Sequence, residues 1–285
     1  MTIKLGFSPC PNDTYIFDAL ANHKIDTEGL SFEIAMADVQ QLNEWAAAGK
    51  LDVAKVSYGS LPLLLEKYLL LDAGGALGKG VGPLLISKIP IPDPAIKQCV
   101  IAIPGKFTTA HALFSMAYPD AANKAFLRYD EIEDFTLGGA ASMDNLQAVK
   151  LGVIIHENRF TYAGKGLVKL ADLGEFWEKE TGLPIPLGGI VARRDMDAAT
   201  RLKINRLIRK SLEYSNAQGG QISDFVKDHA REMDIDVMRQ HIRLYVNEFS
   251  LDLGKGGRKA VKQFIETHSV INKIPVSPDN MFLSE

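Results

Sequence analysis

His156 is the residue whose type and position point most directly to chemistry. It follows the apolar run 151–155, which predicts a buried strand, so we expect its side chain at the end of that strand, facing a crevice. An imidazole with an unperturbed pKa of about 6.5 is largely neutral at cellular pH and can accept a proton. We therefore predict that His156 is a general base, and the ordinary alternative is a histidine that makes structural hydrogen bonds. Glu157 should point to the opposite face of the strand, which makes it a poor catalytic partner.

Three segments share a second pattern, in which a short apolar strand is followed by a tight turn and a helix start rich in small or hydroxyl residues. They are 6–14, 54–59 and 103–110. A helix N-terminus leaves N–H groups unpaired and attracts anions, and open α/β sheets bind ligands at the carboxyl ends of their strands. The pattern predicts a site for a small organic acid. The alternative is that Asn12, Ser57 and Thr108 merely cap helices, with either Asn12 or Asp13 as the N-cap of the first one.

The composition limits the possible partners. Hydrophobic residues make up 46% and charged residues 24% of the 285 residues, which is typical of a globular protein with a large core. The formal net charge of −3 provides no positive field for nucleic acid. The most apolar window, 61–71, contains Glu66 and Lys67 and is shorter than the roughly 20 residues of a membrane span, so we expect no membrane insertion. Two cysteines and an N-terminus unlike a signal peptide favour a cytoplasmic location.

The sequence predicts neither a metal nor a cofactor. The histidines lack the spacing of metal ligands; His229 and His241, for example, lie twelve residues apart. The glycine-rich segment 74–82 resembles a phosphate-binding loop, but Lys79 precedes a glycine instead of a serine or threonine. We therefore interpret this segment as a backbone turn.

The chain length and the alternation of strand and helix patterns predict an α/β fold with two lobes. We take the proline-rich segment 89–94 as the first crossing between the lobes and the apolar segment 188–192 as the return. These crossings define a larger lobe of residues 1–97 and 190–285 and a smaller lobe of residues 98–189. The ligand cleft is expected between the two lobes, and helices after residue 197 should cover the larger one.

Motifs along nearly the whole chain resemble one known family. They are Ser8-Pro9-Cys10-Pro11-Asn12-Asp13-Thr14, Lys55-Val56-Ser57-Tyr58-Gly59, Gly75-Ala76-Leu77-Gly78, Gly80-Val81-Gly82-Pro83, Pro104-Gly105-Lys106, Thr108-Thr109-Ala110, Gly152-Val153-Ile154-Ile155-His156-Glu157 and Tyr245-Val246-Asn247. Together they resemble the bacterial 1,4-dihydroxy-6-naphthoate synthase family, which acts in the futalosine route to menaquinone. The resemblance implies a two-lobed fold similar to type II periplasmic solute-binding proteins.

The resemblance also implies a reaction and a set of site residues. The reaction is a lyase step that converts the carboxylate cyclic de-hypoxanthine futalosine to 1,4-dihydroxy-6-naphthoate and releases dihydroxyacetone, with no cofactor. His156 is implied as the proton acceptor. The implied substrate-binding residues are Lys55, Val56, Ser57, Thr109 and Ala110. Thr108 joins them because it lies at one of the predicted helix starts.

Two other functions stay compatible with the sequence. One is a cytosolic protein that binds small acids without catalysis, because a fold does not by itself determine a function. The other is chorismate dehydratase, a similar-looking enzyme of the same pathway, which should lack the strand end at 154–157 in this form. The oligomeric state is not indicated by the sequence.

Overall fold

The computed structural model describes residues 1–230, 234–274, 276 and 280–284 of the chain. The strands are β1 (Thr2–Phe7), β2 (Ser31–Met36), β3 (Val53–Ser57), β4 (Tyr68–Leu70), β5 (Ala76–Gly78), β6 (Leu84–Ser87), β7 (Val100–Ile103), β8 (Lys124–Phe126), β9 (Lys150–Ile154), β10 (Val168–Asp172) and β11 (Ile185–Arg193). The helices are α1 (Pro11–Ala21), α2 (Val39–Ala47), α3 (Leu61–Leu64), α4 (Asp93–Ile96), α5 (Thr109–Ala117), α6 (Ile132–Leu137), α7 (Asn158–Thr161), α8 (Leu173–Thr181), α9 (Ala198–Ala217), α10 (Asp224–His229), α11 (Ile235–Tyr245), α12 (Glu248–Leu251) and α13 (Gly254–Asn272).

The first lobe is built on a sheet with the strand order β2-β1-β3-β11-β4, in which β5 also pairs with β11. β1 is parallel to both β2 and β3, whereas β11 is antiparallel to its neighbours. Parallel strands joined through helices end at the same edge of a sheet. The segments that follow β1 and β3, after Phe7 and Ser57, therefore start at the same edge of this sheet.

The second lobe is built on a sheet with the strand order β10-β6-β9-β7-β8. β7 is parallel to β8 and β9, and β6 is antiparallel to β9 and β10. The carboxyl ends of β7 and β9 therefore lie at the same edge, which is where the turn before α5 and the residues after Ile154 begin. The prediction of a two-lobed α/β fold is confirmed.

The chain crosses between the lobes earlier than the sequence pattern placed the crossing. β6 pairs with β9 and β10 of the second sheet, although the predicted larger lobe included residues 84–97. The proline-rich segment 89–94 leads into α4, just before β7 of the second sheet. A short apolar strand has the same pattern in either sheet, and pairing with distant strands decides where it lies. The pairing of the strands places the boundaries between the two lobes near residues 83 and 185.

Helices α9, α10 and α11 cover the first lobe, as the sequence predicts, whereas α13 packs against both β11 of the first lobe and α5 of the second. α1 packs against α9, α10 and α11. Ile204, Ile208 and Leu212 of α9 form one buried stripe and share a hydrophobic cluster with Phe7 of β1. The side chain of Asp197 caps α9 by accepting a hydrogen bond from Thr200 N at 2.8 Å.

The two lobes also pack directly on each other behind the cleft. Trp177 of α8 and Phe264 of α13 are fully buried, and their rings meet edge to face with centroids 5.5 Å apart. Truncating a buried aromatic side chain of this kind costs about 3–5 kcal/mol of folding free energy. This contact joins the lobes through residues that do not line the cleft cavity.

Candidate active site in the cleft between the lobes

The cleft between the lobes holds a cavity of about 730 Å³, counting the space open to solvent at its mouth. Every site residue predicted from the sequence lines this cavity: Lys55, Val56, Ser57, Thr108, Thr109, Ala110 and His156. Residues separated by up to 101 positions in the chain are thus brought to one place.

His156 lies two residues beyond β9, where the chain turns from the strand into α7. Its φ is 56°, in the left-handed region that a histidine rarely adopts. Such a conformation persists only where the surrounding structure imposes it, and it is common at functional sites. The turn places the imidazole in the cavity wall, partly exposed.

Two aromatic side chains contact the His156 ring. Tyr129 meets it edge to face with centroids 5.1 Å apart, and His241 lies nearly parallel to it with centroids 6.1 Å apart. Burial lowers the pKa of His156 below its ordinary value, and the carboxylates of Glu157, Asp13 and Asp38 act in the opposite direction. The net effect favours a neutral imidazole, which is the form that accepts a proton.

Asn43 of α2 fixes the carboxyl end of β3. Its Oδ1 accepts a hydrogen bond from Ser57 N at 2.9 Å, and its Nδ2 donates to Ser57 Oγ at 3.2 Å. Nδ2 also donates to the carbonyl of Phe107, in the second lobe, at 2.9 Å. Gln40 Oε1 accepts from Phe107 N at 3.0 Å. One helix of the first lobe therefore holds both Ser57 and the turn before α5.

Lys55 and Asp13 form a buried pair in the cavity wall. Lys55 Nζ donates to Gly74 O at 2.5 Å and lies 3.4 Å from Asp13 Oδ1. Asp13 also accepts hydrogen bonds from Ser8 Oγ at 2.7 Å and from Asn12 Nδ2 at 2.8 Å. The pair puts a cation and its counter-charge beside the ligand space.

The start of α1 differs from the sequence prediction. The pattern indicated Asn12 or Asp13 as the N-cap, but the cap position is Cys10, with Pro11 as the first helical residue. Pro11 is suited to that position because its φ is fixed and it has no N–H to satisfy. Asn12 and Asp13 are thereby inside the first turn, where their side chains reach the cavity.

The sequence left open that Asn12, Ser57 and Thr108 merely cap helices. Only Thr108 caps a helix through its side chain. Thr108 caps α5, since its Oγ1 accepts from His111 N at 3.2 Å. Ser57 makes no side-chain cap. Thr109 joins the lobes: its Oγ1 donates to Leu187 O at 2.7 Å and accepts from Gly59 N at 3.0 Å. Thr108 therefore both caps a helix and lines the cavity.

Gly59 is required at its position because a Cβ there would lie 2.6 Å from Thr108 O and 2.8 Å from Thr109 N. These are backbone atoms that cannot rotate away. We expect Gly59→Ala to displace the start of α5, lowering the free energy of unfolding by about 1–3 kcal/mol and weakening ligand binding. Gly256→Ala in α13, where nothing lies within 4 Å, is the matched control. Denaturant unfolding and calorimetric titration measure both effects, and equal behaviour of the two variants would contradict the prediction.

The rest of the cavity wall is largely apolar. Its side chains include Val39, Leu42, Val81, Pro83 and Ile155. Tyr245 of α11 also lines the cavity, and burial raises the pKa of its hydroxyl, which stays protonated. An apolar ligand carrying a few oxygen atoms would match these surfaces.

Three site residues were not predicted from the sequence: Asp13, Asn43 and Tyr245. Asp13 and Tyr245 lie within the motifs of the resemblance, but nothing in their local pattern indicates a buried ion pair or a cavity wall. Glu157 does not line the cavity; within the described part of the chain, its buried Oε2 has no hydrogen-bond partner.

Across residues 1–230, 234–274, 276 and 280–284, no cluster of three or more His, Cys, Asp or Glu side chains could hold a metal ion. No described helix is long and apolar enough to cross a membrane.

The fold and the cleft define a two-lobed ligand-binding architecture, and solved structures share it. A crystal structure of a protein from Archaeoglobus fulgidus matches with a TM-score of 0.86 and 27% identity, covering 96% of this chain and 98% of that one. The alkanesulfonate-binding protein SsuA from Xanthomonas axonopodis pv. citri matches with a TM-score of 0.68 and 13% identity, covering 96% and 94%. The latter similarity concerns the fold, which is that of periplasmic binding proteins.

The sequence comparisons identify the family. A family model described as "Menaquinone biosynthesis" matches residues 3–269. The chain is 38% identical over 281 residues to 1,4-dihydroxy-6-naphthoate synthase of Thermus thermophilus, covering 99% of both chains. It is also 38% identical over 284 residues to the enzyme of that name from Streptomyces coelicolor, covering 98% and 97%. The chain belongs to the 1,4-dihydroxy-6-naphthoate synthase family of menaquinone biosynthesis, which confirms the resemblance found in its motifs.

Proposed function

We propose that this chain is a lyase that converts cyclic de-hypoxanthine futalosine to 1,4-dihydroxy-6-naphthoate and dihydroxyacetone, with His156 as the general base. Family membership supports the product, since both curated relatives carry the name of that synthase. The observation that carries the mechanism is the position of His156, whose neutral imidazole lies in the wall of an apolar cavity between two lobes.

The proposed reaction breaks a carbon–carbon bond beside a carbonyl and forms an aromatic ring. It needs a base, hydrogen-bond donors for the negative charge that develops on oxygen, and exclusion of water. His156 takes the proton. The donors are the Lys55 ammonium, the Ser57 hydroxyl and the first N–H groups of α5 at Thr109 and Ala110, which have no carbonyl partner within the helix. The step consists of bond cleavage and proton transfers, so the proposal includes no cofactor.

The remaining parts of the cavity suit the substrate's shape. The apolar wall around Leu42 and Val81 would contact the flat ring system, and the polar groups at the strand ends would bind the carboxylate and hydroxyls. The partner is thus a small carboxylate, and nucleic acid plays no part. We place the reaction in the cytoplasm, which agrees with the biosynthetic relatives.

The direct test is to incubate the purified protein with cyclic de-hypoxanthine futalosine and to follow the naphthoate by chromatography with ultraviolet detection. We expect the product to form in proportion to enzyme concentration, with dihydroxyacetone in equal amount. A parallel incubation with chorismate tests for the dehydratase. Binding of the futalosine derivative without turnover would overturn the lyase in favour of a binding protein, and turnover of chorismate would overturn it in favour of the related enzyme.

A further inference from the structure

His241 is a fully buried histidine that the proposed mechanism does not use. It lies on α11, directly behind the cavity wall, with 0% of its surface exposed. Its Nε2 is 2.9 Å from Asn12 Oδ1. Its Nδ1 is buried and has no hydrogen-bond partner among the described residues. One ring nitrogen is hydrogen-bonded and the other is not. This arrangement needs an explanation, because a buried polar atom without a partner costs folding free energy.

The hydrogen bonds of Asn12 determine which nitrogen of His241 carries the proton. Asn12 Nδ2 donates to Asp13 Oδ1 at 2.8 Å, so the amide oxygen is the atom that faces His241. Reversing the amide would direct its oxygen at the Asp13 carboxylate, where two acceptors repel. An amide oxygen only accepts, so His241 donates from Nε2–H and its Nδ1 holds a lone pair.

The face of the same ring supports His156. The two imidazoles are within 18° of parallel, with centroids 6.1 Å apart. Tyr129 contacts His156 edge-on at 5.1 Å. His156 leaves β9 through a backbone turn with positive φ, and its ring must be held in one orientation to act on a bound ligand. The neighbouring rings supply that constraint.

We infer that His241, as its Nε2–H tautomer, is a positioning residue whose ring face orients His156 and whose N–H fixes Asn12 in the cavity wall. The inference rests on the proposed function, because it requires His156 to act on the bound ligand. His241 touches no substrate; it acts through the two residues that line the cavity. Its buried ring also keeps water from the back of His156.

The groups that face His156 come from each element packed around it. They are Asp13 from α1, Asp38 before α2, Arg128 and Tyr129 before α6, Glu157 before α7, and His241 and Tyr245 from α11. The three carboxylates favour a charged His156, and burial opposes it. Since the His241 ring covers one side of His156, its removal admits water and raises the pKa of His156 toward its usual value of about 6.5.

Two variants separate the two roles of His241. His241→Gln keeps a donor for Asn12 but removes the ring face, so we expect kcat to fall at least about tenfold with KM nearly unchanged. The acid limb of its pH–rate profile should also move to higher pH. His241→Phe keeps the ring face but removes the donor, so we expect KM to rise several-fold while the acid limb stays in place. His268→Phe is the matched control, since His268 is also buried but bonds Gly59 O outside the cavity.

The outcome that overturns the inference is a folded His241→Gln enzyme with the kcat and the acid limb of the unaltered protein. Two His241 variants with identical kinetic changes would overturn it as well, because a general loss of packing would then suffice. If neither variant folds, nuclear magnetic resonance of imidazole nitrogens in the unaltered protein decides. We expect the His241 ring, distinguished from the similarly buried His268 because its signal persists in the His268→Phe protein, to be protonated at Nε2 and not to titrate from about pH 5 to pH 8. Either titration or an Nδ1–H tautomer contradicts the inference.

Failure of the inference is distinguishable from failure of the proposed function. If the unaltered protein forms no naphthoate, the proposed function is wrong, and there is no reaction rate with which to compare the His241 variants. If the unaltered protein turns over and the His241 variants match the His268 control, the positioning role fails and the function stands.

Discussion

His156→Ala is expected to lower kcat by about 100-fold or more, because a positioned general base contributes roughly 10² to 10⁴ to a rate. Ligand affinity should change little, since Lys55, Ser57 and the start of α5 provide the polar contacts in the proposed complex. Single-turnover rates and calorimetric dissociation constants measure the two effects separately. Alanine is disfavoured at a φ of 56°, whereas asparagine tolerates it. His156→Asn therefore removes the base while preserving the backbone, and it should lose as much activity.

The controls for this prediction use the chain's other histidines and added base. His229→Ala, on α10 outside the cavity, should keep the full rate. Imidazole added to the His156→Ala variant should restore part of the rate, because a small base can occupy the space that the side chain leaves. Full turnover in the His156→Asn variant would remove His156 from the mechanism.

The same residue determines the pH dependence of the reaction. A general base works when neutral, and the neutral fraction falls as the pH drops through its pKa. Since burial lowers the pKa of His156, kcat/KM should stay constant as the pH falls through about 6.5 and should decline only below it. An acid limb at or above that value would show that the base is more exposed or is a different group. Circular dichroism must show that the protein is folded at each pH. Burial also lowers the pKa of His111, His241 and His268, so protonation of these histidines in acid destabilises the folded state.

The position of His156 was predictable because its signals are local. An apolar run followed by a polar residue marks the end of a buried strand, and β9 ends at Ile154, one residue before the predicted limit of that run. The strand ends at Ser57 and before Thr108 follow the same rule. Parallel pairing then brings these ends to common edges, which is a property of the fold class and not of any one segment.

The polar network behind these residues was not predictable from local pattern. Asp13 was interpreted as a cap because acidic residues commonly begin helices, but Cys10 takes that position and the Asp13 carboxylate pairs with Lys55, 42 residues away. Asn43 lies in the middle of an amphipathic helix, where an asparagine gives no sign of bonding Ser57 and Phe107. The lobe limit near residue 83 was missed for the same reason, since β6 pairs with strands more than 60 residues later.

Lys55→Met is expected to lower the free energy of unfolding by about 3–5 kcal/mol, the usual cost of removing one partner of a buried ion pair. Methionine keeps most of the apolar stem but loses the ammonium. The Asp13 carboxylate, 3% exposed, would then be a buried charge without its cation, and Gly74 O would lose its donor at 2.5 Å. Ligand affinity should fall as well, because the same ammonium faces the cavity.

A second ion pair provides the reference for this cost. Lys227 and Asp224 lie 3.0 Å apart with side chains 41% and 90% exposed, so Lys227→Met should cost about 1 kcal/mol or less. The double variant Asp13→Asn/Lys55→Met removes both charges and should recover part of the stability lost in Lys55→Met, because two neutral groups tolerate burial better than one unpaired charge. Denaturant unfolding of the unaltered chain, Asp13→Asn, Lys55→Met and the double variant gives the coupling energy between Asp13 and Lys55. If Lys55→Met costs no more than Lys227→Met, the pair contributes little to the fold, and the presence of Lys55 in the cavity wall is explained by ligand binding.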